Sequence, residues 1–169
     1  MTLPWLDPEL IDHKVLAAIQ IAHENVGVCE EPLNSNRGPQ IDAWNNGAAV
    51  PAGSYWCASA AGAWWRGAGL EVPKGYASCD NWMRWAMATD RWSDVPVLGA
   101  MVLYGVPGDA KHIGLIVRMV PLVLSIEGNT TIESGFSSNG IAVALKVVAA
   151  PDPILGYCLP YPIQSGAIA

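Results

Sequence analysis

The stretch Lys111-His112-Ile113-Gly114-Leu115-Ile116-Val117-Arg118, followed by Met119-Val120-Pro121-Leu122-Val123-Leu124-Ser125-Ile126-Glu127-Gly128-Asn129, decides the fold. Aliphatic residues recur every second position on both sides of Met119 to Pro121, the period of two β-strands around a turn. Folding the segment about that turn pairs Ile113 with Ile126, Leu115 with Leu124 and Val117 with Leu122, so one face is wholly aliphatic, as a buried sheet face requires. A slip of one residue would expose Leu122, Leu124 and Ile126, at about 1.5–3 kcal/mol for each large side chain. The same register sets His112 opposite Glu127, with Cβ atoms about 5 Å apart, and puts Asn129 on that side if the strand continues. A histidine, a carboxylate and a carboxamide then gather at one hairpin end, which suits a general base and the groups that orient it. A hairpin-end ion pair without chemistry is the competing reading.

Further strands are expected over Met101–Tyr104, Ile141–Val148 and Ile154–Leu159, between glycine and proline punctuation. Upstream, the period becomes helical. Ile11, Val15, Ala18, Ile19, Ala22 and Val26 form one stripe, with Asp7 as the expected cap, Pro8 in the first turn and Gly27 at the end. His13 and His23 lie off the stripe and are expected at the surface. A short helix is expected over Pro39–Asn45, another of small residues after Cys57 and closed by Gly67 and Gly69, and a fourth from Ser78 through Thr89. Helices first and strands after imply an α+β domain with a mostly antiparallel sheet. One domain is expected through residue 163, with residues 164–169 as a tail.

The chain has 169 residues, enough for one hydrophobic core. Half the residues are apolar, which excludes disorder as the default. A net charge of −6 with nine scattered basic residues argues against nucleic acid and against an anionic membrane as partners. The segment beginning Met1-Thr2-Leu3-Pro4 has no basic stretch leading into an apolar one, so synthesis in a cytoplasm without a signal peptide is expected. A monomer without cofactor is expected. The three histidines and four cysteines show no metal-ligand spacing, so no metal site is assigned.

Free thiols are expected at Cys29, Cys57, Cys79 and Cys158. A thiolate is favoured at a helix N-terminus and near an imidazolium. Cys57 sits where Gly53-Ser54-Tyr55-Trp56 meets the small-residue helix. Cys79 is followed by Asp80, and Cys29 by Glu30 and Glu31, and a local negative charge opposes ionisation. Cys158 lies in a strand between Tyr157 and Leu159, as a buried inert thiol does. Cys57 is therefore the candidate nucleophile.

The segments Tyr55-Trp56-Cys57-Ala58-Ser59-Ala60, Lys111-His112-Ile113-Gly114-Leu115-Ile116 and Ile126-Glu127-Gly128-Asn129-Thr130 resemble, in order, the CHAP domain (cysteine, histidine-dependent amidohydrolase/peptidase) of papain-like peptidoglycan hydrolases, common in phage lysins. Gly108-Asp109 and the stretch from Glu31-Pro32 to Asn36-Arg37-Gly38-Pro39, with Ile41 and Trp44, add to the likeness, which spans roughly residues 20–130. The resemblance implies a papain-like CHAP fold and hydrolysis of an amide or peptide bond in bacterial peptidoglycan, by an endolysin released at lysis or a virion-associated lysin. It implies Cys57 as nucleophile, His112 as general base and acid, Glu127 as the residue orienting the imidazole, and Asn129 as a supporting member. Trp56 is expected to wall the substrate groove and Tyr55 to contact substrate near the oxyanion.

Two alternatives stand beside this. Glu30, Glu31 or Asp42 would supply the paired carboxylates of a peptidoglycan glycosidase. A non-catalytic phage structural or wall-binding protein is the other.

Overall fold

A computed structural model describes residues 11–133, 137, 139–150 and 152–163. Asp7, Pro8 and the expected tail, 164–169, lie outside them. Among the described residues four helices precede six strands: α1 (His13–Glu24), α2 (Pro39–Gly47), α3 (Cys57–Gly67) and α4 (Cys79–Ala88), then β1 (Trp92–Ser93), β2 (Met101–Val106), β3 (Asp109–Arg118), β4 (Leu124–Thr130), β5 (Ala142–Val147) and β6 (Ile154–Cys158). The strands form one sheet in the order β1-β6-β2-β3-β4-β5, antiparallel at every pairing. This is an α+β fold with helices packed on an antiparallel sheet, as the order of patterns in the sequence implied.

Residues Val15, Ala18, Ile19 and Ala22 of α1 are buried, but Val26 is 44% exposed because the helix has already ended at Glu24. Its N-cap is Asp12, not Asp7: the Asp12 carboxylate accepts from the N–H groups of Lys14 and Val15. His13 is exposed and His23 half-buried. Helix α2 runs two residues beyond the expected end, and the short edge strand β1 carries no period long enough to read. Ser78 caps α4 through the Asn81 N–H.

Small side chains press α3 against the sheet. A Cβ on Gly128 of β4 would stand 2.8 Å from Trp56 Cζ3 and 3.0 Å from Ala60 Cβ. Trp56, Trp64, Trp65, Ala58, Ala60 and Ala61 join Ile113, Leu115, Val117, Leu124 and Ile126 in the core between helices and sheet.

The expected aliphatic face is therefore the core face, yet the register differs from the expected one by two residues. Gly114 stands opposite Glu127, Leu115 opposite Ile126 and Ile116 opposite Ser125, with a bulge before Arg118 pairs with Leu124. His112 is not directly opposite Glu127, and Leu122, 53% exposed, does not pair with Val117. The turn is wider than Met119 to Pro121, since β4 begins only at Leu124. A shift of two leaves every side chain on its own face, so burial alone did not separate the two registers.

Candidate functional site

The shift brings Glu127 to His112 by another route. A Cβ on Gly114 would lie 2.5 Å from Glu127 Cγ, so the bare glycine lets the Glu127 side chain cross β3 diagonally. Its Oε2 then meets His112 Nε2 at 3.0 Å. Strand β3 is bulged here: Tyr104 of β2 pairs with His112 while Gly105 pairs with Ala110, and Lys111 falls between. Bulges of this kind re-aim a side chain at the end of a ladder. The first turn of α4 holds this end of β3 in place, because the Ala110 N–H donates to Asp80 Oδ1 at 2.9 Å.

Glu127 is buried and held by more than the histidine. Its Oε1 accepts from Tyr104 Oη at 2.8 Å and from Ser125 Oγ at 2.6 Å. Burial alone would raise its pKa; the hydrogen bond and charge of His112, with the Ser125 and Tyr104 hydroxyls, hold it below the usual carboxylate range. The Tyr104 phenol is raised by burial and by the Glu127 charge, so it stays a donor. Neither Tyr104 nor Ser125 was singled out from the sequence. Ser125 was legible as the same-face neighbour two residues before Glu127, and Tyr104 only once the pairing of β2 with β3 is known.

Nε2 of His112 is taken by Glu127, and the imidazole lies close enough to the Cys57 thiol for each to shift the other's ionisation. Burial opposes the imidazolium, but bonds to Cys57 and Glu127 and their charges raise His112 to about 10. Cys57 is the first residue of α3, whose N-cap Trp56 makes no side-chain capping bond, so the first-turn N–H groups remain open toward the thiol. A hydrogen bond from the Cys79 thiol, whose sulfur lies 3.9 Å away, holds Cys57 well below the ordinary thiol value; burial opposes this, and His112 and the Ala58 N–H add to it. The same contact, with burial and the charges of Cys57 and Asp80, pushes Cys79 well above its ordinary value. Cys158 is raised to about 12 by burial, and Cys29 is exposed. All four cysteines are free.

Comparison with protein-family models, with curated proteins and with solved structures finds no match to this chain. The site thus stands on its own geometry. His112 and Glu127 are hydrogen-bonded, Cys57 and His112 shift each other's ionisation, and the other expected residues take different places. Asn129 is fully buried with a left-handed backbone (φ 53°); its Nδ2 donates to Asn36 Oδ1 at 3.2 Å and its Oδ1 accepts from the Gly140 N–H at 3.1 Å. These bonds tie two loops together, and the orienting bond to the imidazole comes from Glu127. Trp56 is fully buried, stacked on Trp44, with its indole N–H on Glu30 Oε1 at 3.1 Å, so its ring is a core element and not a groove wall. Tyr55, two residues before Cys57, is 64% exposed. Of the carboxylates weighed for a glycosidase, Asp42 is held by Arg37 at 2.8 Å and Glu30 by Trp56, and Glu31 is exposed.

Proposed function

We propose that the chain is a cysteine-dependent amidohydrolase of the CHAP kind, acting on a peptide or amide bond of bacterial peptidoglycan as a phage endolysin or virion-associated lysin. The observation that carries this reading is the line of buried groups from the Cys57 thiol, at the N-terminus of α3, past the His112 imidazole to the Glu127 carboxylate, in which Glu127 is hydrogen-bonded to His112 and Cys57 and His112 shift each other's ionisation. The reaction class follows from that line; the wall as substrate follows from the resemblance in the three motif segments.

In this mechanism the Cys57 thiolate adds to the amide carbonyl carbon. The first-turn N–H groups of α3 receive the oxyanion that forms. Collapse of the intermediate breaks the C–N bond, and the proton of His112 goes to the departing amine, leaving a thioester on Cys57. Water then attacks the thioester and gives its proton to His112. A carboxylic acid product leaves, and the thiolate and imidazolium are restored. Glu127 keeps the ring in one orientation and stabilises its charge through the cycle. Cys57 retains 5% exposure while His112 has none, so substrate approaches from the sulfur side, past the exposed Tyr55.

The test is digestion of purified peptidoglycan by the reduced protein, with products read by mass spectrometry. Release of new amine and carboxyl ends, lost on alkylation of Cys57, is the expected result. New reducing sugar ends that survive alkylation would establish the glycosidase instead.

A further inference from the structure

A second polar cluster lies beside the thiol–imidazole line and takes no part in the mechanism above. Glu30, between α1 and α2, is only 4% exposed. Its Oε1 accepts the Trp56 indole N–H, but its Oε2 is buried without a hydrogen-bond partner. Burying a carboxylate oxygen without a donor is unfavourable, so a fold that keeps one at such a position gains from what the oxygen meets there. Glu30 lines a small polar cavity of about 70 Å³ together with Asn34, Asn36, Asn139, Gly140 and Ile141.

The cavity walls are built, not incidental. The Glu30 N–H donates to the Ile141 carbonyl at 2.8 Å, which joins two of the segments that line the cavity. Asn34 and Asn36 both adopt left-handed backbone conformations (φ 61° and 53°), and Asn36 is fixed by the bond from Asn129. The position relative to the site is also fixed. Trp56, on which Glu30 is anchored, immediately precedes Cys57, and Asn129, on which Asn36 is anchored, lies two residues beyond Glu127. The cavity is therefore joined by hydrogen bonds to the segment that carries Cys57 and to the strand that carries Glu127.

We propose that this cavity is a substrate subsite for a primary ammonium group, such as the free amine of a stem or bridge peptide, with Glu30 Oε2 as the charged acceptor. The proposal rests on the reading of the chain as a peptide amidohydrolase and specifies which peptides it takes. An ammonium brings three donors and no acceptor. The cavity, lined by Glu30 and three asparagines, offers a carboxylate acceptor in a polar setting, and a charged acceptor makes the stronger bond. A divalent cation suits the cavity less: calcium takes six to eight oxygens, commonly from several carboxylates. Among the described residues, Glu30 is the one carboxylate lining this cavity, and no group of three or more His, Cys, Asp or Glu is placed to hold a metal.

The experiment uses the full chain carrying Cys57→Ala, so that binding is read without turnover, and titrates it with a soluble stem peptide bearing one free amine and with its N-acetylated twin. The free-amine peptide is expected to bind about ten-fold more tightly, the size of one charge-assisted hydrogen bond. Adding Glu30→Gln should reduce the preference to less than about two-fold. Glutamine keeps an oxygen for the Trp56 indole, so the core contact survives. Asn34→Ala, at an exposed side chain, is a second variant that leaves the core untouched and should weaken the preference in part. Equal affinity for the twins in the Cys57→Ala protein, or a preference undiminished by Glu30→Gln, would overturn the subsite. So would a rise in melting temperature with calcium chloride that Glu30→Gln abolishes, since the cavity would then hold a metal. The two readings fail separately. An amine preference in the Cys57→Ala protein, with neither twin cleaved by the parent, keeps the subsite and sinks the hydrolase. Equal cleavage of both twins keeps the hydrolase and sinks the subsite.

Discussion

The sulfur atoms of Cys57 and Cys79 stand 3.9 Å apart, each on the first residue of its own helix. The Asp80 charge opposes ionisation at Cys79 and His112 favours it at Cys57, so Cys57 is lowered and Cys79 raised, and Cys79 is the thiol that donates. Removing the donor should raise the Cys57 pKa without removing the nucleophile. For Cys79→Ala, the midpoint of the pH dependence of iodoacetamide labelling at Cys57 is expected to move upward. Hydrolysis should persist, with its acid limb moved the same way. An unmoved midpoint would show that His112 and the helix terminus suffice.

Cys57→Ala should abolish hydrolysis and leave the circular dichroism spectrum intact, because alanine suits the first turn of a helix already rich in alanine. Cys29→Ala and Cys158→Ala should retain activity: the first thiol is exposed and the second is held protonated, at about 12, by burial. Full activity in the Cys57 variant would end the nucleophile assignment.

The pH profile has a sign on each side. Cys57 is lowered, so the thiolate persists well below the ordinary thiol range and sets the acid limb. His112 is raised from 6.5 to about 10, so the proton needed by the leaving amine is lost only as pH rises through about 10. A plateau spanning neutral pH and falling near 10 is expected in kcat/KM. Stability follows the same linkage. Glu127 lies below its ordinary value of 4.5, so its contribution is present above 4.5 and is lost as pH falls through the lower folded value. His112 contributes fully below 6.5 and loses its contribution as pH approaches and passes 10. Melting temperature against pH should show both flanks, and His112→Ala should flatten the alkaline one.

Much of the site was legible because its chemistry sits on short-range patterns. The thiol at a helix start, and an aliphatic face with a histidine and a glutamate on the other parity, follow from periods of 3.6 and 2. The hairpin register was not legible. A turn of unknown width permits slips of two that leave burial unchanged, and what distinguishes them here is the space at Gly114. Trp56 looked like a groove wall from its place beside Cys57. The close approach of Gly128 to its ring, which buries it, joins residues far apart in sequence. The Cys57–Cys79 contact joins two helix starts, and no periodicity reports how two helices approach one another.

Glu127→Gln keeps the shape of the side chain and removes its charge. Glutamine still accepts from Tyr104 or Ser125, but it no longer stabilises an imidazolium. The His112 pKa should fall, and the alkaline limb of the profile should move to lower pH. Turnover should drop by about ten-fold or more with little change in KM, since the charge matters most along the reaction path. An equal kcat in variant and parent would reduce Glu127 to a structural hydrogen-bond acceptor.

Gly114→Ala tests the register itself. The added methyl would lie 2.5 Å from Glu127 Cγ and 3.2 Å from its Cδ, so the carboxylate must leave its diagonal path across β3. Both its contact with His112 and its two hydroxyl donors lie at the end of that path. The variant should lose about 1–3 kcal/mol of stability through overpacking. It should also lose turnover at least as severely as Glu127→Gln. Two readouts separate displacement of Glu127 from general damage. The His112 imidazole, followed by NMR titration, should shift to lower pKa in Gly114→Ala as in Glu127→Gln. The double variant Gly114→Ala with Glu127→Gln should be little worse in turnover than either single one, because both changes remove the same contact. With His112 directly opposite Glu127, as the sequence pattern alone suggested, the methyl at 114 would not stand in the carboxylate's way. An unshifted His112 titration together with full turnover in Gly114→Ala would favour that register over the one described.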